Sequence, residues 1–151
     1  MEPPAADVAP ALSVVPFEAL DGTRLLGLDV GPGGPAGAVR EGLPIAGFDA
    51  LRDALGLPSA VLADALGVSP RTLTRRRAAG RLAPDESDRL LCVARLTEMA
   101  AVALGDVDAA AGWMTGPLAL FGEPPLRRAD TAPGAREVED ALYAVEYTAA
   151  A

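Results

Sequence analysis

Two helix-start signals, Pro58-Ser59 and Ser69-Pro70, stand close together in the stretch PSAVLADALGVSPRTLTRRRAAG and leave little choice of local fold. The first opens a helix that runs to about Leu66 and is stopped by Gly67. Ser69 then serves as an N-cap, with Pro70 at the first helical position, where its missing N–H removes no hydrogen bond. The second helix runs to about Ala79 and stops at Gly80. A helix, a short turn containing glycine and a second helix make helix-turn-helix spacing. Small Ala63 lets the two helices approach, while Leu62, Leu66, Val68 and Leu73 supply the apolar contact between them.

The second helix has a defined outer face. At about 100° per residue, with Arg71 at zero, Arg75 falls near ~40°, Ala78 near ~340° and Thr74 near ~300°. Leu73, near ~200°, points the other way, and Thr72 lies on the edge. Arg71, Thr74, Arg75 and Ala78 form a face that can enter a major groove, where arginine pairs bidentately with guanine. Arg76 and Arg77 flank Leu73 and are expected to lay their stems on the domain and reach phosphates. A solvated arginine face, or a helix pair used only for protein assembly, has the same pattern.

The charge distribution sharpens that reading. The 151 residues carry 13 arginines, no lysine and 21 acids, for a net charge of −8. Residues 71–81 hold five of the arginines and no acid, which leaves −13 on the rest of the chain. A field of that sign repels nucleic acid as a whole, yet salt screens charges beyond about 8 Å, so a local basic patch can still bind.

Histidine is absent, which removes the commonest general base and zinc ligand. GxSxG, P-loop and GxGxxG patterns are missing too, so no catalytic residue, cofactor or metal is expected. One cysteine, Cys92, permits no internal disulfide and is read as a small core residue. No apolar run reaches about 18 residues and no signal peptide opens the chain, so a cytoplasmic protein without a membrane span is expected.

An aromatic fraction of 4% means a core of Leu, Val and Ala, which suits helix packing. Residues 1–42 are rich in Pro, Gly and Ala and read as a flexible or partly ordered segment, with GPGGPAG at 31–37 as a linker and a helical turn near 38–44. Phe48, Leu51, Leu55 and Leu57 begin a helical stripe that Gly56 ends. Pro84 opens a long helix to Gly105 whose broad stripe implies burial on two sides. A short helix over 106–114 carries Trp113 as a core anchor. GPLALFGEPPLRRAD is loop with at most one helical turn, and 134–147 form a last helix with Val138, Ala141, Leu142 and Val145 on one face.

Taken in order, GLPSAVLADALGVSPRTLTRRRAAGRLAPDESDRLL, the long helix, Trp113 and PGAREVEDALYAVEY resemble the Xre/MbcA/ParS-type antitoxins of RES–Xre toxin–antitoxin modules, over roughly residues 42–148. The resemblance implies an all-α protein: a flexible segment over 1–42, an Xre-like helix-turn-helix over 43–83, and a small toxin-binding helical domain over 84–151. It implies binding to a cognate NAD-consuming RES-domain toxin, whose active site the antitoxin closes off. It also implies repression at the module's own promoter DNA and assembly as a homodimer within a larger complex. The DNA-binding residues would be Ser69, Arg71, Thr72, Thr74, Arg75, Arg76 and Arg77; the toxin-binding residues would be Glu139, Tyr143, Glu146 and Tyr147. An acidic body suits a toxin whose NAD-binding cleft is basic. The chain departs from the family pattern at Leu118, where asparagine is usual, and at Arg128 and Ala129, where leucines are usual. The competing reading is a stand-alone helix-turn-helix regulator whose C-terminal half binds a small molecule or only dimerises.

Overall fold

The computed structural model describes residues 15–150, without the side chain of Ala150. Among them are eight α-helices and no strand, as the aromatic-poor, alanine-rich sequence implies. In chain order these are α1 (Gly34–Glu41), α2 (Ile45–Leu55), α3 (Ser59–Ala65), α4 (Pro70–Ala79), α5 (Pro84–Leu104), α6 (Val107–Thr115), α7 (Pro125–Arg128) and α8 (Ala132–Ala150).

Helix α5 is the centre of the molecule. Leu90, Val93, Ala94, Leu96, Thr97, Met99, Ala100 and Ala101 are all buried along it. It packs against α6, α8, α1 and α2. Phe48 and Leu51 of α2, Met114 of α6, and Val138 and Leu142 of α8 complete one continuous core. Gly56 ends α2 in the left-handed conformation, at the position read as a stop. Trp113 is half-buried and packs against this core, and Cys92 is partly buried with its thiol pushed up by desolvation.

Of the segment expected to be flexible or partly ordered, residues 1–14 lie outside the described residues, whereas 15–42 are ordered against α5. Phe17, Leu20, Leu25 and Leu26 are buried. The linker reading of 31–37 is corrected: α1 begins at Gly34, with Pro35 in its first turn, where no N–H is needed. At Gly42 (φ +91°) a Cβ would stand 2.3 Å from the Leu82 carbonyl oxygen, so only glycine lets the chain cross there. The crossing is stitched by Leu82 N–H to Leu43 O (2.9 Å) and by Leu43 N–H to the Ser87 hydroxyl (2.8 Å).

The strap over residues 15–28 is held by polar groups of α5. Glu98 is fully buried, and its two carboxylate oxygens accept from Gly22 N–H (2.8 Å) and Leu25 N–H (2.9 Å). At Gly22 (φ +90°) a Cβ would lie 2.7 Å from the Leu91 carbonyl oxygen, so the strap can lie this close only as glycine. Arg95 donates to the Leu20 carbonyl (3.1 Å) and, with two further bonds of 2.8 and 3.1 Å, to Glu139 of α8. One guanidinium thus joins strap, α5 and α8.

Burial pushes the Glu98 carboxyl up, and the two N–H bonds only partly pull it back. Its folded value lies above the ordinary 4.5, so the linked stabilisation is complete below that value and falls away as pH rises through the raised one. The E98Q variant should lack this decline in urea-unfolding free energy. E98A, which orphans both N–H groups, should lose about 2–5 kcal/mol at any pH.

Candidate functional site

The first candidate surface is α4. The Ser69 hydroxyl accepts from Thr72 N–H (3.1 Å), so Ser69 is the N-cap its sequence position suggests. Leu73 is buried and anchors the helix against the core. Arg71, Thr74, Arg75 and Ala78 are exposed together, the face drawn from helical angles alone. Thr72 is half-buried at its edge, and the Thr74 hydroxyl donates to the Pro70 carbonyl. Among the described residues no ion pair engages Arg71 or Arg75.

Arg76 and Arg77 are placed differently from the expectation. Arg76 makes a two-pronged pair with Glu86 in the first turn of α5 (2.8 and 3.2 Å). The same Glu86 carboxylate accepts from Ala83 N–H (2.8 Å) at the start of α5. Arg77 pairs through two nitrogens with Asp49 of α2 (3.0 and 3.2 Å) and lies over the Phe48 ring, 5.7 Å from its centre. Both guanidinium groups therefore face acids of the protein rather than reaching freely outward. The absence of acids within 71–81 concealed this, because Glu86 and Asp49 are ten and 28 residues away in sequence. Their role in the free protein is to clamp α4 at two points.

The second candidate surface is α8. Val138 and Leu142 are fully buried beneath it, while Ala141 and Val145 are partly covered. Glu139 is committed to Arg95, whose guanidinium holds its carboxyl below the usual range. Tyr143 meets the buried Phe17 ring edge-on, with centres 5.1 Å apart. Glu146 is half-buried, and Tyr147 is 79% exposed. Ala144, Val145, Thr148 and Ala149 line a shallow apolar surface on the last turns. Glu139 is thus a structural tie, whereas Tyr143, Glu146 and Tyr147 are gathered near the outer end of the helix. The sequence reading did not find that Val15–Glu18 of the strap and Val102 of α5 lie beside Tyr143 and Glu146.

The two surfaces stand on one continuous core. Arg127 of α7 pairs with Asp64 of α3 (2.8 Å), adding a direct link between the C-terminal half and the helix-turn-helix. Arg128 pairs with Glu123 and Glu137 and lies over the Phe121 ring, which gives this departure from the family pattern a local role. Ala129 is buried, and Leu118 bridges to Glu123. No described helix is long and apolar enough to cross a membrane.

A capped helix-turn-helix with a basic outer face is thus joined through one long helix to a module with an exposed aromatic and acidic helix end. Residues 34–95 match the model of the antitoxin Xre-like helix-turn-helix domain. Residues 99–147 match the antitoxin Xre/MbcA/ParS C-terminal toxin-binding domain. Antitoxin Xre of Yersinia enterocolitica serotype O:8 / biotype 1B is 33% identical over 114 residues, spanning 73% of this chain and 76% of that protein. The chain belongs to the Xre family of antitoxins.

The clamp on α4 has a pH signature. Burial pushes the Glu86 carboxyl up, but the Arg76 guanidinium and the Ala83 N–H outweigh it and leave its value below the ordinary 4.5. A depressed carboxyl contributes stability that is present above 4.5 and lost as pH falls through the folded value. E86Q should therefore melt below the wild type at neutral pH, with the gap closing as pH falls below 4.5 through the depressed folded value.

Proposed function

We propose that this protein is an antitoxin that neutralises a RES-domain, NAD-consuming toxin by covering its active site with the outer end of α8. It also binds its own promoter through α4 as a homodimer, and within a larger toxin–antitoxin assembly represses the operon in the cytoplasm. It acts by occlusion and performs no chemistry. The observation that carries this reading is the order of the two family matches along one chain, with an exposed Tyr147 and a half-buried Glu146 at the end of the toxin-binding module. Aromatic side chains exposed at such a surface are typical anchors of protein interfaces. Of the α8 acids, Glu137 and Glu139 are paired with Arg128 and Arg95, and the remaining two, Asp140 and Glu146, favour a basic partner.

DNA binding rests on Arg71 and Arg75, which retain their charge for phosphates and bases, with Thr72 and Thr74 beside them. Arg76 and Arg77 take the part of positioning residues, and Ser69 that of the cap. Full-length protein co-expressed with the product of the adjoining gene should retain that toxin and preserve cellular NAD, whereas a chain ending at Pro133 should do neither. If neither version retains a partner, the toxin reading fails and a stand-alone regulator remains.

On promoter DNA, R71A and R75A should each weaken binding about tenfold or more. Each should also lower the slope of log affinity against log salt by about one for every phosphate it ceases to neutralise. Substituting Arg77 should leave that slope unchanged while lowering the melting temperature, because its charge is already spent on Asp49.

A further inference from the structure

The two family models begin at residues 34 and 99, so neither covers the strap over 15–28. The strap is nonetheless a built element. Glu98 holds Gly22 and Leu25, Arg95 holds Leu20, and Phe17 is buried against Tyr143. Where the strap meets α5 and α8, a groove of about 440 Å³ opens to solvent. It is lined by Val15, Pro16 and Phe17 of the strap, Val102 of α5 and Tyr143 of α8, with Glu18 and Glu146 as its charged residues. No base lines it, and no ion pair engages either carboxylate among the described residues.

Two unpaired carboxylates beside an apolar, aromatic lining match one kind of side chain: a long aliphatic stem ending in a cation. We propose that the strap supplies half of the toxin-binding surface and that this groove takes an arginine or lysine side chain of the toxin. Its stem lies along Phe17 and Tyr143, and its charge lies between Glu18 and Glu146. This deepens the reading of α8 as the toxin-facing helix and rests on it. The groove is continuous with the part of α8 that the toxin-binding family model covers. Residues 1–14 hold Glu2 and Asp7 and no arginine or lysine, so that stretch lacks the cationic side chain the groove calls for.

The test is a titration of the full-length protein with the purified toxin encoded by the adjoining gene, at low and moderate salt. E18Q/E146Q should weaken binding about tenfold, and E18R/E146R more, with the wild-type loss on adding salt diminished in both. Unchanged thermal melting of the free variants would confirm that the groove, and not the fold, was altered. Unchanged affinity in both variants would overturn the proposal while leaving the toxin reading intact. It would also be overturned if the variants changed only self-association in sedimentation. A wild-type protein that fails to bind the toxin at all would remove the toxin reading itself, and this proposal with it.

Discussion

The structure depends on the burial of α5 along nearly its whole length. A helix so deeply covered cannot present an ordinary polar face: Thr97 donates to the Val93 carbonyl of its own helix, and four other polar residues are answered by neighbouring elements. Glu86 answers Arg76 and caps its own helix, Ser87 receives the Leu43 N–H, Arg95 joins Leu20 to Glu139, and Glu98 takes two N–H groups of the strap. The apolar stripe supplies the bulk of the stabilisation. These four residues decide where the surrounding pieces sit.

That arrangement explains which parts were legible in the sequence. The helix starts at Ser59, Ser69-Pro70 and Pro84 and the stops at Gly56, Gly67, Gly80 and Gly105 are local signals, and each falls where the chain turns. The outward face of α4 follows from helical angles once Leu73 is known to be buried. The strap had no such signal, because its residues follow neither a helical nor an alternating period and its order comes from α5. The one available hint was Glu98, a carboxylate set within the most apolar stretch of the chain. Residues 34–41 were obscured by glycine content, which masked Pro35 as a helix start.

The candidate sites divide in the same way. Arg71, Thr74 and Arg75 were placed by periodicity alone and stand where periodicity put them. The fate of Arg76 and Arg77 depended on acids distant in sequence, which no local reading supplies. On α8, Tyr143 and Glu146 are named by resemblance alone, and their neighbours Phe17, Glu18 and Val102 come from two other parts of the chain. Glu139 shows the converse: a residue grouped with the partner-facing set by sequence is consumed by an internal bond to Arg95.

The boundary between the two family matches falls at residues 95–99, inside α5 rather than in a linker. An unbroken helix of 21 residues, about 30 Å long, is a strut and not a tether. Whatever is gripped at α8 is therefore carried at a fixed distance and angle from α4. In any multimer built through these surfaces, the spacing between successive α4 helices is a matter of solid geometry, set by the shapes of the bodies and not by the slack of a connecting chain.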